Sequence, residues 1–417
     1  MEKKVNRKKV VSASVFCFLT VLTIALTVTT CSKKEIGPSA QTHIVTFHYN
    51  DERMSLANQP DIVFHGDPVP RPRDPKWPGH SFEGWYTDNG SFTNSYNLSA
   101  PITEDIQLYA KWTAMVMPEM AWVPGGSFRM GSNDKLDLYA KPVHTVSLDG
   151  FYMARNLITQ SQYQAVTGFN PSYFSGLKNS ITHERADLPE GLENPNNLPV
   201  EQVTWYDVAE FCNKLSVLEG LNPVYAVSKR VPPEGYPIIY ADVIPDWNAN
   251  GYRMPTEAEW EYAAKGGDGM GPYFIYSGSD DPEAVAWYSV NASNRIKARG
   301  DFDEFWEETY GGNQMVLTAR HDVREEARTY EVGLKEPNQL GIYDLSGNVF
   351  EWCWDWFGEY PSAAQANPKG PPDGDNRVRR GGTFAHIDES IVRVARRDMD
   401  LPVYKFAMCG IRLVRSK

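Results

Sequence analysis

Four prolines stand within eight positions in the run Asp67-Pro68-Val69-Pro70-Arg71-Pro72-Arg73-Asp74-Pro75. Such a segment can be neither helix nor central strand. The same punctuation returns in the Gly/Pro/Asn-rich stretches Pro189 to Pro199 and Val231 to Asn250. With 29 Pro and 32 Gly set against 12 Trp and 22 Tyr, the chain reads as loop-rich and packed by aromatics. That composition argues against both a helical bundle and a disordered chain. The 417 residues allow two or three domains with at least one sizeable core. A net charge of −12 argues against a nucleic-acid partner, because neutralising phosphates needs a basic face.

The charge is unevenly spread. Lys3, Lys4, Arg7, Lys8 and Lys9 precede an uncharged run from Val10 to Thr30, and Cys31 follows. A basic region before an apolar one is the plan of a secretory signal. The run is also long enough to cross a bilayer, which leaves a retained anchor helix as the other reading. Cys31, followed by Ser32, resembles the lipidation residue of bacterial lipoproteins. Either way the rest of the chain lies outside the cytoplasm, and the part after residue 30 carries −16. Besides Cys31 it keeps Cys212, Cys353 and Cys409, so a disulfide is permitted there but the pairing is open.

Beyond a polar tether, His43-Ile44-Val45-Thr46-Phe47-His48-Tyr49 alternates as a strand does. Phe82-Glu83-Gly84-Trp85-Tyr86, the turn Asp88-Asn89-Gly90 and the closing strand Ile106 to Trp112 complete a unit of few strands. In so small a unit the Trp and Tyr side chains supply most of the burial. The Val-Thr-Phe start, Gly-Trp-Tyr centre and Leu-Tyr-Ala-Lys-Trp end resemble the B repeat of internalins and other bacterial surface proteins. That resemblance implies a β-grasp-like spacer or adhesive unit with no chemistry of its own.

From residue 115 onward three helices carry start signals. Thr159 with Gln162 makes a capping box stopped by Gly168, and Thr256 with Glu259 makes another before Gly266-Gly267. Thr204 opens a helix whose Trp205, Val208, Cys212, Leu215 and Leu218 share one apolar face, which makes Cys212 a core residue. The acidic cluster Asp301, Asp303, Glu304, Glu307 and Glu308 reads as a solvated insertion.

Four motifs then occur in order. They are Gly125-Gly126-Ser127-Phe128, Tyr252-Arg253-Met254-Pro255-Thr256-Glu257-Ala258-Glu259-Trp260-Glu261, Asn338 to Trp352, and Arg380-Gly381-Gly382-Thr383 with Gly410-Ile411-Arg412-Leu413. Together they resemble the formylglycine-generating enzyme (sulfatase-modifying factor) family, whose fold is a variant of the C-type lectin fold. The expected class is α+β: a β-grasp-like B repeat, then a loop-rich C-type-lectin-like domain. The expected divisions are a signal peptide at 1–30, lipidated Cys31 and tether at 31–41, the repeat at 42–114 and the large domain at 115–417.

The resemblance implies a structural calcium held by Asp344, Gly347, Val349 and Glu351, two carboxylates and two backbone carbonyls forming a hard oxygen cage. The other reading of that segment is a tight turn whose carboxylates cap N–H groups. The family's catalysis uses two cysteine thiolates that bind Cu(I), a soft ion preferring sulfur. Here the segment from Gly381 to Arg393 has no cysteine, and none occurs between Cys353 and Cys409. No copper is therefore expected, and formylglycine-generating activity is not.

Residues 377–417 carry ten Lys and Arg against four Asp and Glu. Within them Phe384, His386, Asp388, Glu389, Tyr404, Lys405 and Phe406 are expected to form a ligand-binding face. Its position also resembles the diversified surface of the variable proteins of diversity-generating retroelements. The leading expectation is a lipid-anchored protein of the bacterial envelope, periplasmic or surface-exposed. It would bind an extracellular protein or glycan and touch the membrane only through its N-terminal lipid. The alternative is a copper oxidase of the formylglycine-generating type, acting on protein cysteine with altered ligands.

Overall fold

The computed structural model describes residues 41–50, 60–70, 72, 77, 79–137, 139–175, 195–267, 273–292 and 327–417. The signal run, Cys31 and the acidic cluster from Asp301 to Glu308 lie outside the described residues.

The first module is one sheet of β1 (Thr42–His48), β2 (Pro60–Phe64), β3 (His80–Tyr86) and β4 (Ile106–Ala114), in the order β2-β1-β4-β3. Strands β1 and β4 run parallel and the outer pairs antiparallel. Alternation along β1 turns Val45 and Phe47 inward, where Trp85, Leu108 and Ala110 meet them. Trp85 is the hub: Phe47, Tyr49 and Phe82 all contact its ring, mostly edge to face.

The large domain has no long strand running through it. It begins with β5 (Met120–Val123), β6 (Gly126–Met130), β7 (His144–Leu148), β8 (Phe151–Ala154) and helix α1 (Gln160–Thr167). Helix α2 (Trp205–Leu218), β9 (Tyr225–Val231), β10 (Tyr240–Pro245), β11 (Tyr252–Arg253) and α3 (Glu257–Ala264) follow. After α4 (Pro282–Val285) come β12 (Ala286–Trp287), β13 (Ser346–Gly347), β14 (Phe350–Trp356), β15 (Gln365–Ala366) and β16 (Arg377–Arg380). The chain closes with β17 (Asp398–Asp400), β18 (Cys409–Gly410) and β19 (Val414–Ser416). The larger sheets run β11-β19-β8-β5, β17-β16-β14-β18 and β15-β7-β6.

Helices α1, α2 and α3 each start at a threonine in extended conformation with a complete capping box. Gly168, left-handed at φ 71°, ends α1. Helix α2 buries Trp205, Val208, Cys212 and Leu215 as its periodicity requires, whereas Leu218 stays exposed at the last turn. The first module is held by α1, where the Gly79 N–H donates to the Ala165 carbonyl at 2.9 Å, and by the turn Pro195–Asn197, where Asn196 donates to Glu83 at 3.1 Å.

The Trp-rich run is core. Trp352 is fully buried and its indole N–H donates to the Val203 carbonyl at 3.0 Å. Trp205 does the same toward the Cys353 carbonyl at 2.9 Å. Short sheets leave many loops to hold, and buried arginines hold them. Fully buried Arg380 donates to Glu261 and to the carbonyls of Val394, Ala395 and Arg396. Replacing Arg380 by alanine is expected to cost about 3–5 kcal/mol, because buried Glu261 keeps only Lys265 as counter-charge and the carbonyls of Val394, Ala395 and Arg396 lose their donor. Arg380→Lys should recover little, because one ammonium cannot serve that fork of acceptors. Denaturant midpoints check both, and a near-wild-type lysine variant would refute the bracing role.

Candidate functional site

The seven residues expected to bind ligand do not form one face. Phe384 turns inward, 4 % exposed, and packs edge to face on Phe174 at 5.5 Å. It is a core residue, because the left-handed Gly381 and Gly382 before it fold the chain back onto the interior. Exposed Asp388 caps the short turn Glu389–Val392 by accepting from Ser390 at 2.9 Å. Glu389, also exposed, lies near Tyr276 and Tyr288.

His386, Tyr404 and Phe406 do come together, around an arginine that sequence reasoning missed. Arg379 spans Asp398 at 2.8 Å and Asp400 at 3.0 Å on the neighbouring β17. Its guanidinium lies 4.4 Å from the Phe350 ring centre and 5.8 Å from that of Phe406. The Tyr404 and Phe406 rings meet at 5.8 Å, and His386 meets Phe350 at 5.6 Å. Desolvation, with Arg379 and Arg396 nearby, pushes His386 down to about 4, so its imidazole is neutral at pH 7. Its Nδ1 lies 2.8 Å from the Thr383 hydroxyl. The signal for Arg379 was present in the sequence: arginines at 377 and 379 alternate on one strand, as Asp398 and Asp400 do on the next.

Lys405 reaches Gln202 at 3.3 Å, beside a second missed residue, Glu201. Glu201 is fully buried and accepts the backbone N–H groups of Tyr173 and Phe174, each at 3.0 Å. Those bonds hold the turn that lays Phe174 on Phe384.

The calcium cage expected from sequence does not fit. Glu351 accepts from Arg412 Nη2 at 2.8 Å on Oε1 and from the Trp260 indole at 2.6 Å on Oε2. A cation there would lie against a buried guanidinium. Asp344 accepts from Gly333 N–H at 2.7 Å and keeps an unpartnered, buried Oδ1. Without Glu351, the oxygens of Asp344, Gly347 and Val349 fall short of the six to eight that Ca²⁺ takes. Left-handed Asp344, Gly347 and Asn348 make the segment a tight turn instead.

The described cysteines are not poised as thiolates. Cys212, Cys353 and Cys409 are free and buried, and desolvation pushes all three thiols up, away from thiolate. The permitted disulfide is therefore not formed among these three.

Glu201 generates a pH test. Desolvation raises it from an ordinary carboxyl value to about 8, against the opposing effect of its two N–H donors. A raised folded-state value means that its contribution is full at acidic pH and is lost as pH rises through about 8. Stability should fall between about pH 5 and about pH 9, with a smaller fall in Glu201→Gln. Denaturation at several pH values checks this; an identical slope in the variant would refute it.

Comparison with known proteins agrees with this geometry. Residues 107–417 match the sulfatase-modifying factor enzyme 1-like domain, and residues 43–111 match the Listeria-Bacteroides repeat domain. The chain is 36% identical over 272 residues to the chaperone protein LppX of Paenibacillus barcinonensis, covering 64% of this chain and 79% of that one. It is 29% identical over 314 residues to the formylglycine-generating enzyme of Thermomonospora curvata, covering 70% and 92%. Among solved structures, Treponema denticola variable protein 1 superposes with a TM-score of 0.55 at 30% identity, covering 72% of this chain and 95% of that one. The chain thus belongs to the sulfatase-modifying factor enzyme 1-like family, with a Listeria-Bacteroides repeat in front.

Proposed function

We propose that this chain is a ligand-binding protein of the bacterial cell envelope, in which a formylglycine-generating-enzyme scaffold serves recognition rather than copper oxidation. The carrying observation is the C-terminal segment. Where the family places two thiolates this chain has none, and the three described cysteines are free and buried. In their place stand Arg379 with its two aspartates, neutral His386, exposed Tyr404 and half-buried Phe406. A fixed charge pair flanked by aromatics is a common composition for a binding surface.

The likeness to a Treponema denticola variable protein supports this use of the scaffold and a diversified receptor in particular. The relative named as a chaperone supports a role without the family's oxidation chemistry. Lipidation at Cys31 and a position at the envelope belong to the same proposal, and the ligand is an extracellular protein or glycan.

Purified protein incubated with Cu(I), oxygen and a sulfatase-type cysteine peptide should form no aldehyde; robust aldehyde formation would overturn the reading. On arrays of glycans and extracellular proteins, Tyr404→Ala and Arg379→Ala should each lose binding that the wild type shows. Retained binding in both variants would remove this face from the proposal. Metabolic labelling with a palmitate analogue should mark the wild type and not Cys31→Ser, and equal labelling would refute the anchor.

A further inference from the structure

A cavity of about 470 Å³ lies between the start of α3, the end of β14 and the loop from Gly358 to Pro371. That size is in the range of small-molecule sites, about 300–1,000 Å³. The loop closes over the cavity because two glycines let it. A Cβ on left-handed Gly370 would come within 2.7 Å of Asp355 Cβ and 3.0 Å of its Oδ1, and one on Gly358 would meet Pro371 at 2.7 Å.

The polar lining is built rather than incidental. Asp355, 3 % exposed, accepts from the Glu257 N–H at 2.8 Å on Oδ2, and its Oδ1 has no donor among the described residues. His144 is 2 % exposed and directs Nδ1 at the Pro142 carbonyl, 3.2 Å away. Its Nε2 therefore offers a lone pair, with no partner among the described residues. Lys369 bears its ammonium on the Trp247 ring, 4.2 Å from the centre, and makes no ion pair among the described residues. Glu257 is already satisfied: Arg397 binds both its oxygens at 2.6 and 2.8 Å, and the Tyr360 hydroxyl donates to it at 3.2 Å.

Charge then selects the ligand. Arg397 and Glu257 neutralise each other, so a net cation would meet the Lys369 ammonium and a net anion would meet Glu359 and Asp355. A neutral molecule avoids both. It must donate to His144 Nε2 and Asp355 Oδ1 and accept from Lys369, which is what adjacent hydroxyls do. Desolvation and nearby Glu257 push Asp355 up to about 7, so near neutrality its carboxyl can also donate. Met130, Tyr360, Pro361 and Pro371 supply the apolar walls that C–H faces need.

We infer that this cavity is a monosaccharide site, binding one neutral pyranose as a free sugar or as the terminal residue of a glycan, through His144, Asp355 and Lys369. It is independent of the proposed C-terminal face. Arg397 lines this cavity, whereas its neighbour Asp398 pairs with Arg379 in that face.

The test titrates the exported chain with glucose, galactose, mannose and N-acetylglucosamine by ligand-observed NMR, in parallel with oligosaccharides ending in each. At least one sugar should bind with a dissociation constant of about 1 mM or tighter. Binding of the free sugar, or only of the oligosaccharide, separates the two sources. Lys369→Met, and Ala364→Trp at the exposed rim, should each weaken it at least about 10-fold with unchanged melting. Tyr404→Ala should leave it intact. No binding by any probe, binding that survives both cavity variants, or binding lost in Tyr404→Ala would overturn the site.

Discussion

Three glutamates in one eight-residue helix organise the large domain. Glu257, Glu259 and Glu261 all lie in α3, and each is buried against an arginine from elsewhere in the chain: Arg397, Arg253 and Arg380 respectively. A buried carboxylate must be paired or protonated, so once α3 forms, those three arginines have fixed destinations. Arg253 ties β11 to α3, Arg380 ties β16 and the 394–396 carbonyls to it, and Arg397 ties the turn before β17. Arg412 repeats the device on Glu351, adding the carbonyls of Ala154, Arg155 and Tyr343. A loop-rich domain whose sheets have at most four short strands needs such cross-braces, because backbone ladders alone leave many carbonyls unserved.

On the proposed reading, the same bracing would keep the scaffold intact without the family's copper chemistry. Arg380 with Glu261 and Arg412 with Glu351 tie both ends of the segment from Thr383 to Met408, and Arg397 with Glu257 ties its middle, so change is confined to its outward side chains. In the proposed function, recognition falls to the edge of this segment. Arg379, on β16 just before it, is held there by Asp398 and Asp400, with Phe350 and Phe406 beside its guanidinium.

Local signals in the sequence were legible and long-range ones were not. The capping boxes at Thr159 and Thr256 and the apolar face of α2 depend on neighbours three or four residues away, and the structure follows them. The misreadings concern partners distant in sequence. Glu351 read as a cation ligand because its counter-charge, Arg412, is 61 residues away. Phe384 read as a surface residue because the chain reversal at Gly381 and Gly382 leaves no periodic trace. Glu201 drew no attention because a glutamate followed by Gln202 looks like a solvated interruption, yet the N–H groups it serves belong to residues 173 and 174.

Asp355 shows how one network reaches function at two depths. It caps the first turn of α3 by accepting from Glu257 N–H, a structural duty that fixes its Oδ2. The arginine that neutralises Glu257 also lines the cavity beneath the 358–371 loop, so the charge balance there is set by the helix rather than by a ligand. Because Glu257 is fully occupied by Arg397 and Tyr360, the cavity's remaining polar capacity lies in Asp355 Oδ1, His144 Nε2, the Lys369 ammonium and the side chains of Glu359 and Gln365. The proposed sugar would use two of the acceptors and the ammonium, with the apolar walls against its C–H faces. The bracing that stabilises the fold therefore also sets the chemistry of the cavity beside it.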